Sequence, residues 1–78
     1  MTYEQAKEHV IILRYDETAD DDGKVIVRDL GPMRNGHKFR IESNPIGMTV
    51  GMVALVCDGG GLPFGYDAQG NTFTVWTD

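Results

Sequence analysis

Residues 46–57 read IGMTVGMVALVC, the longest apolar run in the chain, and its conformation decides the fold. The run is well short of the ~20 residues a membrane-spanning helix needs. A continuous apolar segment of this length fits a strand over 49–56 buried on both faces, and its periodicity does not separate that strand from a short buried helix. Gly51 weakens both readings, because glycine loses the most conformational freedom on ordering. Asn44-Pro45 breaks the chain before the run, and the glycine-rich DGGG at 58–61 forms a loop after it.

Upstream, HKFRIE at 37–42 alternates Phe39 and Ile41 with Lys38, Arg40 and Glu42, the pattern of a half-buried strand. Before it, Asn35-Gly36 tolerates positive φ and marks a tight turn after Pro32. KVIVRDL at 24–30 places Val25, Val27 and Asp29 on one side and Ile26 and Arg28 on the other. VIILRY at 10–15 is rich in β-branched residues and reads as a strand, predicted to pair with 24–30 as a hairpin around the turn DETADDDG at 16–23. At the N-terminus, Thr2 and Gln5 have the spacing of a capping box, which predicts a helix over 3–9. Downstream, LPFGYDAQGNTFTVWT supplies a final hairpin with its turn at 67–71. The expected fold is α+β in a single domain, 1–78: one short N-terminal helix packed on a mainly antiparallel sheet of about five strands.

At 78 residues, folding hides only roughly 60–65% of the surface of an extended chain, so the core must be compact. Ten glycines favour turns and strand ends over long helices. The net charge of −5 opposes a general affinity for nucleic acid and makes a basic protein surface the natural complement. Cys57 is the lone cysteine, which excludes an intramolecular disulfide and a Cys-rich zinc site and favours a reducing compartment. The polar N-terminus MTYEQAKEHV does not resemble a signal peptide. The expectation is a cytoplasmic protein without membrane contact.

The acidic turn sets five carboxylates, Asp16, Glu17, Asp20, Asp21 and Asp22, within seven positions. Fitted as a calcium loop with Gly23 sixth, its ligand positions become Thr18, Asp20, Asp22, Lys24, Ile26 and Asp29. Thr18 and Asp29 depart from the required Asp and Glu. Two readings then compete: a solvated turn, or a recognition patch whose mutual repulsion a basic partner would relieve. Charge is uneven elsewhere. Lys24, Arg28, Arg34, Lys38 and Arg40 are five of the seven basic residues, and none lies in 43–78. Arg28, Arg34, His37, Lys38 and Arg40 are therefore secondary partner-binding candidates, with Phe64 and Tyr66 as aromatic anchors beside the glycine-rich loop.

That loop lacks the Walker and dinucleotide-binding patterns. Cys57 with His9 or His37 as base is the one nucleophilic combination, and a lone Cys ending an apolar strand is ordinarily a small buried hydrophobe. The sequence carries no catalytic, metal or cofactor motif, and an interaction protein is the leading class.

In size, acidity and α+β pattern across the whole chain, the sequence resembles small acidic proteins of phages and mobile elements, including anti-CRISPR inhibitors. The resemblance implies a partner that is an RNA-guided defence complex of a bacterial host, whose target DNA binding is blocked by a monomer or weak homodimer seated on its basic surface. The alternatives are a structural or regulatory accessory protein of a phage-type assembly, joined through edge strands, and a small nucleic-acid binder using the 24–40 segment.

Overall fold

The computed structural model describes residues 2–19, 23–34, 36–58 and 63–76, with the side chains of Asp58, Pro63, Phe64 and Trp76 excepted. The chain runs α1 (Tyr3–Lys7), β1 (Val10–Arg14), β2 (Val25–Pro32), β3 (Gly36–Ser43), α2 (Val50–Asp58), β4 (Pro63–Asp67) and β5 (Thr72–Trp76). The strands form one sheet in the order β1-β2-β3-β5-β4. The α+β class holds, with a second helix added.

Both sides of the capping box form at α1: Thr2 Oγ1 accepts from Gln5 N at 3.2 Å, and Gln5 Oε1 accepts from Thr2 N at 2.9 Å. The helix stops at Lys7, and Glu8 and His9 turn the chain into β1. β3 and β5 fall where the alternation places them. Phe39 and Ile41 are buried, while Arg40 and Glu42 are exposed.

The expected strand over 49–56 is instead α2. Two local features start the helix. The Asn44 side chain bonds both ways with the Met48 backbone, and Thr49 Oγ1 accepts from Met52 N at 3.2 Å while its carbonyl accepts from Val53 N at 3.0 Å, an N-cap arrangement. Val53 and Ala54 are fully buried, and Val50 and Cys57 pack against the same cluster. These four positions are i, i+3, i+4 and i+7 of a helix face. Met52, Leu55 and Val56 are apolar as well, which hid that period in the sequence.

The expected β1–β2 hairpin is also overturned. The two strands are parallel, with Val10 beside Val25, Ile12 beside Val27 and Arg14 beside Asp29. β2–β3, β3–β5 and β4–β5 are antiparallel. A parallel pair needs a connection long enough to return the chain to the start of its neighbour, and residues 15–24 supply it. Tyr15 ends β1 in the left-handed region at φ 52°, and Glu17 N bonds back to the Arg14 carbonyl at 2.9 Å, so the chain leaves the strand at once.

Alternation divides the sheet into two faces. One buries Val25, Val27, Phe39, Ile41, Phe73 and Val75 together with Ala6 of α1, Met48, and Val53 and Ala54 of α2. α2 packs on α1 and across β1, β4 and β5. Phe39 and Phe73 pair directly across β3–β5 and stack at a centroid distance of 5.6 Å. The opposite face bears Leu13 and Ile26, buried but outside that cluster, and a row of charged residues. Among the described residues no helix is long and apolar enough to cross a membrane.

Candidate functional site

Apart from Lys38, the charged residues of β1, β2 and β3 resolve into two networks, one on each face of the sheet. The first centres on Arg28, directly opposite Arg40 across the β2–β3 ladder, where like charges repel. Glu42 bridges them. Its carboxylate receives a two-pronged grip from Arg28, Nε at 3.0 Å and Nη2 at 3.1 Å, and a third bond from Arg40 Nη2 at 2.9 Å. The Arg28 hydrogen bond, and after it that of Arg40, outweighs burial and holds the Glu42 pKa at about 2, below its ordinary 4.5.

The remaining Arg28 nitrogen, Nη1, donates to the carbonyls of Tyr15 and Glu17. Arg28 is thus an internal clamp that ties the root of the acidic connection to the sheet. Its pKa is raised, chiefly by the Glu42 hydrogen bond, against some desolvation and with the fields of Glu42, Glu17 and Asp16 contributing.

The second network centres on Asp29, which continues the inward-facing series Val25, Val27, Asp29. A carboxylate on that side needs partners. His37 Nε2 and Gly31 N donate to its Oδ1, and Arg14 Nε lies 3.8 Å from Oδ2. Burial pushes the Asp29 carboxyl up, but the hydrogen bonds from His37 and Gly31, with the charges of His37 and Arg14, bring it below its ordinary value. The His37 ring stacks on Phe39 at 4.7 Å, so the network abuts the apolar core.

Of the five acidic candidates, Asp16 and Glu17 are exposed. Asp20, Asp21 and Asp22 lie outside the described residues. Glu17 has an internal role, since its Oε1 accepts from Arg14 N at 2.6 Å. Among the secondary candidates, Arg34 is exposed, Lys38 is half-buried and Arg40 is exposed. Arg28 and His37 are engaged by Glu42 and Asp29. Tyr66 is 47% exposed, and the Phe64 side chain lies outside the described residues, as do Asn35 of the expected turn and residues 59–62 of the glycine-rich loop.

Ile26 and Asp29 of the fitted calcium loop belong to β2, so its flanks are strands. Among the described residues no group of three His, Cys, Asp or Glu side chains is placed to hold a metal. Cys57 sits in the last turn of α2 against the core, not at the end of a strand. His9 Nδ1 donates to the Gln5 carbonyl at 2.8 Å, and His37 is turned to Asp29.

Arg14, Tyr15, Asp29 and Glu42 are the structural members of the site that the sequence did not single out as binding candidates. For Asp29 the signal was present in its inward alternation. Arg14 was hidden because its neighbour is set by the parallel register. Comparison with protein-family models, with curated proteins and with solved structures gave no match, and the site is read from its own geometry.

Proposed function

We propose that the chain is a non-enzymatic, protein-binding inhibitor of the anti-CRISPR type. Its acidic connection, residues 15–24, occupies the basic nucleic-acid-binding surface of an RNA-guided defence complex and blocks target DNA. The observation that carries this reading is the Arg28 clamp on Tyr15 and Glu17. It fixes the root of the connection beside exposed Asp16, and a preordered contact loses less entropy on binding. With Arg28 itself held by Glu42, exposed Asp16 and Glu17 present negative charge at the root of the connection, and Lys or Arg side chains that otherwise grip phosphates are the complement of an acidic segment.

The test is a gel-shift competition between this chain and target DNA for a purified RNA-guided surveillance complex. The native chain should release the DNA, and a variant with Asp20, Asp21 and Asp22 as Asn should be at least about tenfold weaker, a loss of ~1.4 kcal/mol. Unchanged competition by that variant would remove the acidic connection from the mechanism.

One observation favours a second reading. β1 and β4 stand at the sheet's two edges, and an edge strand can pair with another chain. A concentration-dependent dimer or larger assembly in light scattering would support an accessory protein of a phage-type assembly instead.

A further inference from the structure

The two edges of the sheet, β1 and β4, are not equally open. β4 begins at Pro63, which has no N–H to donate, and it is kinked at Gly65, where φ is 63° and the register against β5 shifts between Phe64 and Asp67. A proline and a bulge both protect an edge from further pairing. β1 has neither. Its residues Val10, Ile11 and Ile12 carry no charge, Ile12 is 39% exposed, and β-branched side chains suit a strand pair.

The parallel register fixes where each β1 backbone group points. His9 O accepts from Val25 N at 2.7 Å, and Val10 stands beside Val25. The ladder to β2 therefore uses the groups of residues 9, 11 and 13, and Val10, Ile12 and Arg14 aim their N–H and C=O away from the sheet. At Arg14 one residue takes both groups: Glu17 Oε1 accepts from Arg14 N at 2.6 Å, and Glu17 N donates to Arg14 O at 2.9 Å. Among the described residues, the outward groups of Val10 and Ile12 have no such partner.

These constraints select an occupant and a register. A second copy, antiparallel about a two-fold axis at Ile11, sets each Val10 against the other copy's Ile12, and each pair exchanges both backbone bonds. Moving the axis to Ile12 or to Val10 leaves one such pair, because Glu17 holds Arg14 and the Glu8 N–H is bonded to the Gln5 carbonyl. With the axis at Ile11, Arg14 lies across from Glu8 of the other copy. The Arg14 side chain is 74% exposed, and Glu8 is exposed at the end of α1, so the interface pairs opposite charges on both sides of the axis. Chains of net charge −5 repel at longer range, which keeps so short a contact weak. Being isologous, it closes at two copies.

We propose that the chain forms a two-fold homodimer through β1, with Val10 paired to Ile12 about Ile11 and the two sheets joined into one. The proposal rests on the open edges of the second reading above, to which it gives an edge and a partner. The role of the acidic connection does not depend on it.

The test is sedimentation equilibrium of the full chain from ~10 μM to ~1 mM, the range of a weak complex. The native chain should pass from monomer to dimer and no further. Ile12→Pro removes an outward N–H, which an edge strand tolerates, and should weaken the dimer at least about tenfold with the circular dichroism unchanged. Glu8→Lys and Arg14→Glu should each weaken it, and both in one chain should restore it, a pattern misfolding does not produce. In a Cys57→Ala background, Ile11→Cys should cross-link on oxidation, since facing non-hydrogen-bonded residues stand about 4.5 Å apart at Cα. Cross-linking of Ile12→Cys in its place would overturn the register. A chain that stays monomeric at ~1 mM would overturn the proposal. Association that survives Ile12→Pro or grows beyond two copies would also overturn it, while leaving edge pairing through β4 in place.

Discussion

The two faces of the sheet bury their residues by different physics. Under the helices, Phe73, Val25, Val27, Val53 and Val75 lose essentially all solvent contact, and the face is held by apolar area and close packing. On the other face, the Arg28–Glu42–Arg40 row and the clamp on the 15–24 connection are held by charge-assisted hydrogen bonds that stay near water. One face therefore tolerates little change in volume and the other little change in charge. Stability should reside on the first and recognition on the second.

The largest test of that contrast is Phe73→Ala. Removing a fully buried aromatic ring from the contact with Phe39 should cost about 3–5 kcal/mol, a large share of the stability of so small a domain, measured by urea unfolding. A loss below about 1 kcal/mol would mean the helix-covered face is not the main source of stability.

A smaller effect of opposite sign tests the helical cover itself. Gly51 lies in the first turn of α2, is exposed, and has nothing within 4 Å of where a Cβ would stand. Gly51→Ala should raise stability by roughly 0.5–1 kcal/mol through helix propensity. Destabilisation would argue against a helix at 50–58.

The smallest effect concerns the charged face. Folding lowers the Glu42 pKa to about 2 from 4.5. The ionised carboxylate therefore contributes its full stabilisation above pH 4.5 and loses it as pH falls toward 2. Glu42→Gln should cost under about 1 kcal/mol at neutral pH, as an exposed pair does, and its deficit relative to the native chain should vanish across that window. A deficit independent of pH would assign Glu42 a packing role in place of an electrostatic one.

What the sequence made legible follows the same division. The capping box of α1 and the alternation in β3 and β5 are local signals, and the structure keeps them. α2 escaped because Met52, Leu55 and Val56, off its fully buried face, are half-buried and as apolar as the buried positions, so that the cap at Thr49, rather than periodicity, was the readable clue. The parallel pairing of β1 and β2 was not legible. A strand's composition carries no direction, and the acidic 16–23 segment has the residues of a turn whichever way the chain returns. The clamp was hidden for a related reason: Arg28 Nη1 reaches the Tyr15 and Glu17 carbonyls, contacts to a backbone that no residue pattern announces. Asp29 was correctly placed inward, yet its partners Arg14 and His37 come from two neighbouring strands whose registers no sequence spacing reveals.

The sheet order has one further consequence. β1, β2 and β3 are consecutive neighbours, and so are β4 and β5, while the β3–β5 ladder joins the two groups across the whole α2 segment. Closing that long loop carries the largest entropy cost in the sheet, because the cost rises with the logarithm of the span. The stacked pair of Phe39 and Phe73 lies on this seam, so a contact between two buried aromatic rings also fastens the two groups of strands into one domain.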